Sequence, residues 1–158
     1  MKEILTKNKI AILVSDVDHE ELSRYKWHFD GRYVVRQSSL KLGKRKKLYM
    51  HIQIMGKHDG LIVDHISGDA FDNRRDNLRL VTRSQNNRNQ RPDRTGTSSQ
   101  YKGVSWSKQC KRWRSRVVFQ KIEYHLGLYE SERDAAWVYN VWAEYLFGEY
   151  ARLNVLKD

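Results

Sequence analysis

The sequence predicts an α+β protein in two unequal parts, a small antiparallel sheet at the N-terminal end and a three-stranded antiparallel sheet packed on one helix at the C-terminal end. Three observations carry this. Before residue 50, short β-rich segments alternate with Asp, Gly and Lys turns. A polar run at 90–100 holds the only Pro with Arg, Gly, Ser and Thr, and reads as a linker. Beyond it, three strand-like runs lead into a long amphipathic helical pattern.

Composition bounds the function. Among 158 residues, 30 Lys and Arg face 19 Asp and Glu, giving a formal net charge of +11 and a pI near 9.8. That excess is beyond what solubility requires and points to nucleic acid. With 39% hydrophobic and 11% aromatic residues the chain can bury cores, which excludes a disordered basic tail. The single Cys110 excludes an internal disulfide and a multi-Cys zinc cluster, and reads as a turn or surface residue. The apolar run Ile10–Val14 is shorter than a signal-peptide core of ~7–15 residues. Nothing approaches the ~20 apolar residues of a membrane span. The expectation is an intracellular, cytoplasmic protein with no membrane partner.

Taken in order, Lys9–Val14, Tyr25–Phe29, Tyr33–Gln37 and Lys47–Met50 read as strands of the first sheet. Asp18–Arg24 reads as a short helix, with Asp18 as N-cap and acidic residues in its first turn. A loop at Gly56–Gly60 leads to VDHISGDAFDNRRDNLRLVTRSQNNRN, Val63–Asn89, where the adjacent Asp64 and His65 are followed by two separated groups of asparagines. An Asp-His pair with Asn at such intervals can hold one metal ion and one general base against a phosphodiester.

Past the linker, YKGVSW, RWRSRVVFQ and EYHLGLY are successive strands, and SERDAAWVYNVWAEYLFG reads as a helix. Ser131 with Asp134 caps its start, and Gly148 ends it. Ala135, Ala136, Tyr139, Trp142, Ala143 and Leu146 share one face, small enough in places for close approach to a sheet. Alternation points Trp113, Ser115, Val117 and Phe119, with Tyr124 and Leu126, at the helix. Arg112, Arg114, Arg116 and Val118, with Glu123 and His125, then face outward. Arginines in a row beside Lys102, Lys108, Lys111 and Lys121 make a surface for double-stranded DNA, where Arg reads guanine through a bidentate pair.

The motifs YKGVSW, W-x-S-x-V, LGLY, E-x-x-AA-x-x-Y and G-x-x-A-x-LN, between Tyr101 and Asn154, resemble the ethylene-response-factor or APETALA-type DNA-binding domain. The resemblance covers residues 101–155 and implies a three-stranded sheet on one helix, with the sheet in the major groove. It implies DNA contacts at Lys102, Gly103, Ser105, Ser107, Arg116, Val118, Glu123 and His125. Ser105, Ser107 and Val118 stand where the plant factors carry basic residues, so their target site does not carry over.

VDH, DNRRDNLR and VTRSQN together resemble the HNH nuclease superfamily, in the phage-type group of homing endonucleases. The resemblance implies a ββα-metal core at about 61–89, with strands Leu61–Ile66 and Leu78–Val81 and a helix Thr82–Asn89. Residues 1–89 then form an N-terminal β-rich region leading into that core. It implies that Asp64 and Asn86 hold one divalent ion, Mg²⁺ first and Mn²⁺ as the alternative, since both prefer oxygen ligands. A helix register shifted by one would make Asn87 the ligand instead. His65 would deprotonate the attacking water, and the strand must kink or end there, because adjacent residues otherwise face opposite ways. Asn77 would bond across the loop and brace the base. Asn73 and Asn89 read as turn and helix-end residues. His51, in YMHIQIM, reads as packed or surface, with approach to a phosphate as the other reading. Arg74, Arg75, Arg79, Arg83 and Arg88 read as backbone-binding or solvated.

The function so implied is a metal-dependent, site-specific DNA endonuclease of the homing type, whose C-terminal domain recognises sequence and which needs no small-molecule cofactor. One site per chain makes nicking by a monomer the simpler expectation, with a dimer open. The rival is a sequence-specific DNA-binding regulator on an inactive HNH scaffold. RNA binding is disfavoured, since no aromatic RNP-like strand appears.

Overall fold

In the computed structural model, which describes residues 1–39, 45–90 and 96–156, the apolar positions of the first strands set one core. Strands β1 (Lys2–Leu5) and β2 (Ala11–Val14) pair antiparallel, burying Ile4, Ile12 and Val14. Helix α1 (Asp16–Ser23) follows. It starts before Asp18, which lies in its first turn; Ser15, in extended conformation, takes the N-cap position. The Ser15 hydroxyl accepts from the Arg75 amide at 2.9 Å instead of capping its own helix. Strands β3 (His28–Phe29), β4 (Val34–Gln37) and β5 (Lys47–Tyr49) make a second antiparallel sheet. Met50 does not end that strand but opens helix α2 (Met50–Met55), which buries Met50, His51 and Ile54.

Next come β6 (Ile62–His65), the two-residue β7 (Asp72–Asn73), β8 (Leu78–Val81) and α3 (Arg83–Asn89). The antiparallel pair β6–β8 and α3 realise the expected hairpin and helix, with bounds within one residue. Strand β7 pairs in parallel with β2, Val14 opposite Asn73, so the N-terminal sheet is mixed rather than purely antiparallel. The core joins Ile4, Ile12, Val14, Leu22, Trp27, Val34, Met50, Ile54 and Leu78, with Val63 and Phe71 against it. Trp27 is buried with its indole N–H donating to the Leu22 carbonyl at 2.9 Å, so its one polar atom is satisfied.

The chain divides into two compact units, Met1–Asn86 and Asn87–Asp158, with the division inside α3. Of the expected linker, residues 91–95 lie outside the described residues. Ser98 and Ser99 are tied into the second unit through their hydroxyls, and Gln100 through its backbone amide, which donates to Glu132 at 3.2 Å. Ser98 accepts from the Trp106 amide at 2.7 Å, and Ser99 donates to Glu132 at 2.6 Å.

In that unit β9 (Val104–Ser107), β10 (Arg112–Phe119) and β11 (Ile122–Tyr129) form an antiparallel sheet backed by α4 (Glu132–Phe147). Ser131 caps α4, accepting from the amides of Arg133 and Asp134, and Gly148 ends it at φ 53°. Ala135, Ala136, Tyr139, Ala143 and Phe147 are the buried line of α4. Trp142 is not on it: the indole is 40% exposed, edge-on to Tyr145 on the flank. Ser115 and Val117 are buried as alternation requires, while Tyr124, opposite Val117, stays partly exposed at the sheet's end. A bulge between Ser115 and Arg116 shifts the register against β11.

Asn154 closes the unit. Its side chain bonds both backbone groups of Lys102, at 2.7 and 3.1 Å. Its own backbone exchanges two bonds with the Asn140 amide, at 2.7 and 2.9 Å.

Candidate active site

Strand β6 ends at His65, and its last two residues are both buried, Asp64 at 8% exposed and His65 at 6%. Across the hairpin they face Arg79 and Leu78. Arg79 holds the Asp64 carboxylate from Nε and Nη2, each 3.1 Å from Oδ2. A carboxylate this buried needs such a partner.

The His65 ring is fixed by Asn73. Its Nε2 lies 3.3 Å from Asn73 Oδ1, and Asn73 Nδ2 donates to the Ala70 carbonyl at 2.9 Å. The Ala70 carbonyl accepts only, so the amide nitrogen is committed there and the amide oxygen faces the ring. That oxygen cannot donate. Nε2 therefore carries the proton, and Nδ1 is the lone-pair nitrogen of the neutral imidazole. Burial lowers the His65 pKa below the ordinary imidazole value, against the opposing pull of Asn73, Asp64, Asp69 and Asp72, which favours a neutral ring ready to accept a proton.

Asn73 is fully buried because β7 adds to β2, and this is the residue beside His65 that its sequence alone places in a turn. A dipeptide of Asp and Asn gives no strand signal; only pairing with a strand some sixty residues earlier makes it one. Asn77 spans the loop after His65. Its Oδ1 accepts from the Ser67 amide at 2.9 Å, its Nδ2 donates to the Asp72 carbonyl at 2.8 Å, and its carbonyl accepts from Ile66 at 2.9 Å. Arg74 and Arg75 form ion pairs with Asp72 and Asp18, so neither is simply solvated.

His65 has aromatic neighbours. Tyr33 stacks parallel to it at 6.3 Å and His51 meets it edge-on at 5.1 Å. His51, on α2, borders an open cavity of about 510 Å³ together with Arg32, Tyr33, Tyr49, Lys57 and Asn86. Asn86 is half-buried within the first turns of α3, while its neighbour Asn87 is exposed. The buried carboxylate of Asp64 and the amide of Asn86 are oxygen donors, the chemistry a hard divalent ion takes with water completing its shell. On that ground the residues fit such an ion.

In the second unit, Arg112, Arg116, Glu123 and His125 are exposed on the outer sheet face. Arg116 pairs with Glu123 at 2.7 Å, His125 lies 3.6 Å from the same carboxylate, and Arg112 pairs with Glu130 at 3.2 Å. Arg114 and Ser105 face each other across β10 and β9, and Arg114 Nε and Ser105 Oγ are buried without partners. Ser107 accepts from the Cys110 amide at 3.3 Å, and Cys110 is an exposed free thiol. Lys102 turns its ammonium onto the carbonyls of Arg88 and Gln90. Gly103, at φ 77°, lies so close to the Tyr139 ring and the Arg116 carbonyl that a Cβ would overlap both. These last two positions are occupied with holding the unit together.

Among the described residues no helix is long and apolar enough to cross a membrane. No solved structure matches the chain. The family model described as HNH endonuclease matches residues 50–88, the stretch from α2 through β6 and β8 into α3. A protein named Protein 3.8 of Escherichia phage T7 is 33% identical over 109 residues, covering 66% of this chain and 88% of its own. A protein of Acanthamoeba polyphaga mimivirus named as an uncharacterized HNH endonuclease is 35% identical over 135 residues, covering 84% of this chain and 68% of its own. An alignment of that length takes in residues of both units, and the family match falls on the hairpin and helix that carry Asp64, His65 and Asn86; this chain belongs to the HNH endonucleases.

Proposed function

We propose that the protein is a metal-dependent, site-specific DNA endonuclease of the homing type, cutting through its first unit and recognising sequence through the APETALA-type sheet of the second. The observation that carries the catalytic reading is the contact of His65 Nε2 with Asn73 Oδ1, on an amide whose nitrogen is bound to the Ala70 carbonyl. Asn73 fixes the proton on Nε2, so Nδ1 is the nitrogen that accepts a proton from water. The water oxygen bonds to phosphorus as its proton passes to Nδ1, the bond to the 3′ oxygen breaks, and solvent reprotonates that oxygen. A divalent ion held by Asp64 and Asn86, Mg²⁺ before Mn²⁺, would offset charge on the scissile phosphate and the leaving oxygen. Arg79 holds the buried Asp64 carboxylate in place through Nε and Nη2, and Asn77 holds the loop that carries Asn73 beside the ring.

The exposed row of Arg112, Arg116, Glu123 and His125, flanked by Arg114, Ser105 and Ser107, supports DNA binding by the second unit. The ion pairs with Glu123 and Glu130 hold two of these arginines in set directions, which suits base reading better than loose phosphate attraction. Supercoiled DNA containing the site, incubated with Mg²⁺, is expected to be nicked by the wild-type protein. EDTA and His65→Ala are expected to stop cutting while DNA binding persists. Binding without cleavage across a genomic DNA pool, with any divalent ion, would turn the assignment to the regulator on an inactive scaffold. Cleavage undiminished in His65→Ala would remove His65 as the base.

A further inference from the structure

His51 has no part in the chemistry above, yet it lies against the proposed base. It is 5% exposed, and its Nδ1 is buried with no hydrogen-bond partner. Packing explains the ring's shape but not its polarity, since Tyr33 at 4.9 Å, Tyr49 at 5.7 Å and His65 at 5.1 Å would enclose a phenyl ring equally well. A buried polar atom without a partner calls for an explanation.

The tautomer supplies one. An orphaned lone pair in the interior is tolerated more readily than an orphaned N–H, so the buried Nδ1 is the unprotonated nitrogen and the proton sits on Nε2. The ring is neutral, because burial and the neighbouring His65 hold its pKa down at about 4. His51 lines a cavity together with Asn86, Arg32, Lys57 and Asp59. A residue with a neutral N–H donor that lines a cavity holding Arg32 and Lys57, with Asp59 as its one carboxylate among the described residues, and that packs edge-on against the proposed base, is suited to a phosphate drawn there by those two cations.

We propose that His51 is a second imidazole of the active site, donating its Nε2–H to a non-bridging oxygen of the phosphate that lies against His65. The proposal rests on the endonuclease reading for the identity of that phosphate. A neutral donor differs from the surrounding arginines and lysines in one measurable way: it releases no counterion, so it aligns the phosphate without adding to the salt dependence of binding.

Two substitutions in the full chain separate the donor from the ring. His51→Phe keeps the aromatic packing and removes the N–H, while His51→Gln places an amide N–H near the reach of Nε2. His51→Phe is expected to slow nicking about 10–100-fold, with DNA affinity within about threefold and the salt slope unchanged, as for removal of one hydrogen bond to a charged group. His51→Gln is expected to recover most of that rate. Wild-type turnover in His51→Phe, or equal slowing in both variants with unchanged melting temperatures, would reduce His51 to packing.

A second measurement needs no cleavage. In the His65→Ala background, ¹⁵N-labelled protein is titrated with a short duplex in the absence of divalent ions. The His51 Nε2–H resonance is expected to sharpen and move downfield. A ring signal that ignores bound DNA overturns the proposal whatever the cleavage result. A ring signal that responds to DNA, with a wild-type protein that cuts no DNA under any divalent ion, would keep the phosphate hydrogen bond and refute the endonuclease reading instead.

Discussion

Asn73 shows how one amide can settle the protonation of a neighbour. With Nδ2 bound to the Ala70 carbonyl at 2.9 Å, the side chain cannot flip without leaving both that carbonyl and the His65 N–H facing the wrong partner. Truncation removes the acceptor, and the imidazole is free to change tautomer. Asn73→Ala is therefore expected to lower nicking about 10–100-fold, as removal of an orienting partner does in comparable sites, while DNA binding in Ca²⁺ stays near wild type. An equal fall in binding would mean that the loop, rather than the ring, had been disturbed. The Asp64 and His65 pair was legible in the sequence because adjacency and the following asparagines are local signals. Asn73 and His51 were not. The first acts only after β7 has joined β2, and the second lies on a helix that follows a strand without a break.

Elements differed in legibility for the same physical reason. β8 and α4 carry their own signals, an alternating apolar run in one and a Ser cap with a small-residue face in the other. α2 carries none: Tyr49 offers no side-chain cap, and MHIQIM is as compatible with a strand as with one and a half turns of helix. At the entry to β9, Gly103 has a positive φ and backs onto Tyr139, so an added methyl meets both the ring and the Arg116 carbonyl. Gly103→Ala is expected to destabilise the protein by roughly 2–5 kcal/mol, from left-handed strain plus overpacking, read as a fall in the midpoint of urea unfolding. A change under about 0.5 kcal/mol would mean that the loop relaxes freely.

The neighbouring Lys102 gives this part of the unit a pH dependence. Desolvation is the main cause, with Arg152 adding to it, of an ammonium pKa brought down from 10.5 to about 8. The folded form thus holds this proton less tightly than the unfolded chain does. Between about pH 8 and 10.5 unfolding takes up a proton, so this contribution makes stability rise with pH across that window and is least favourable below about 8. The melting temperature of the wild type, relative to that of Lys102→Met, is expected to climb from pH 7.5 to 9.5. A difference that stays flat would show that the two carbonyls hold the charged form as well as water does.

At the scale of the whole molecule, a net charge of +11 acts on any DNA before a base is read. Neutralising ~6–10 phosphates would cost roughly 10³–10⁵ in affinity between about 50 and 200 mM salt, so a steep salt dependence by itself says nothing of specificity. Specificity is tested by removing charge from one surface only. Arg112, Arg114 and Arg116 share a face of β10, and replacing all three with Ala leaves the buried line of Ser115 and Val117 and the α4 core in place. If these side chains read bases, selectivity between the site and random duplex is expected to fall by about 1–3 kcal/mol for each base that is no longer read, with cleavage per bound complex little changed. If they only attract phosphates, affinity is expected to fall equally on all sequences and the salt slope to shrink by up to about 3. Competition binding at two salt concentrations, with cut sites mapped on both strands, distinguishes the outcomes. A variant that cuts the wild-type site with undiminished selectivity would move recognition off this sheet, to the unit that carries His65.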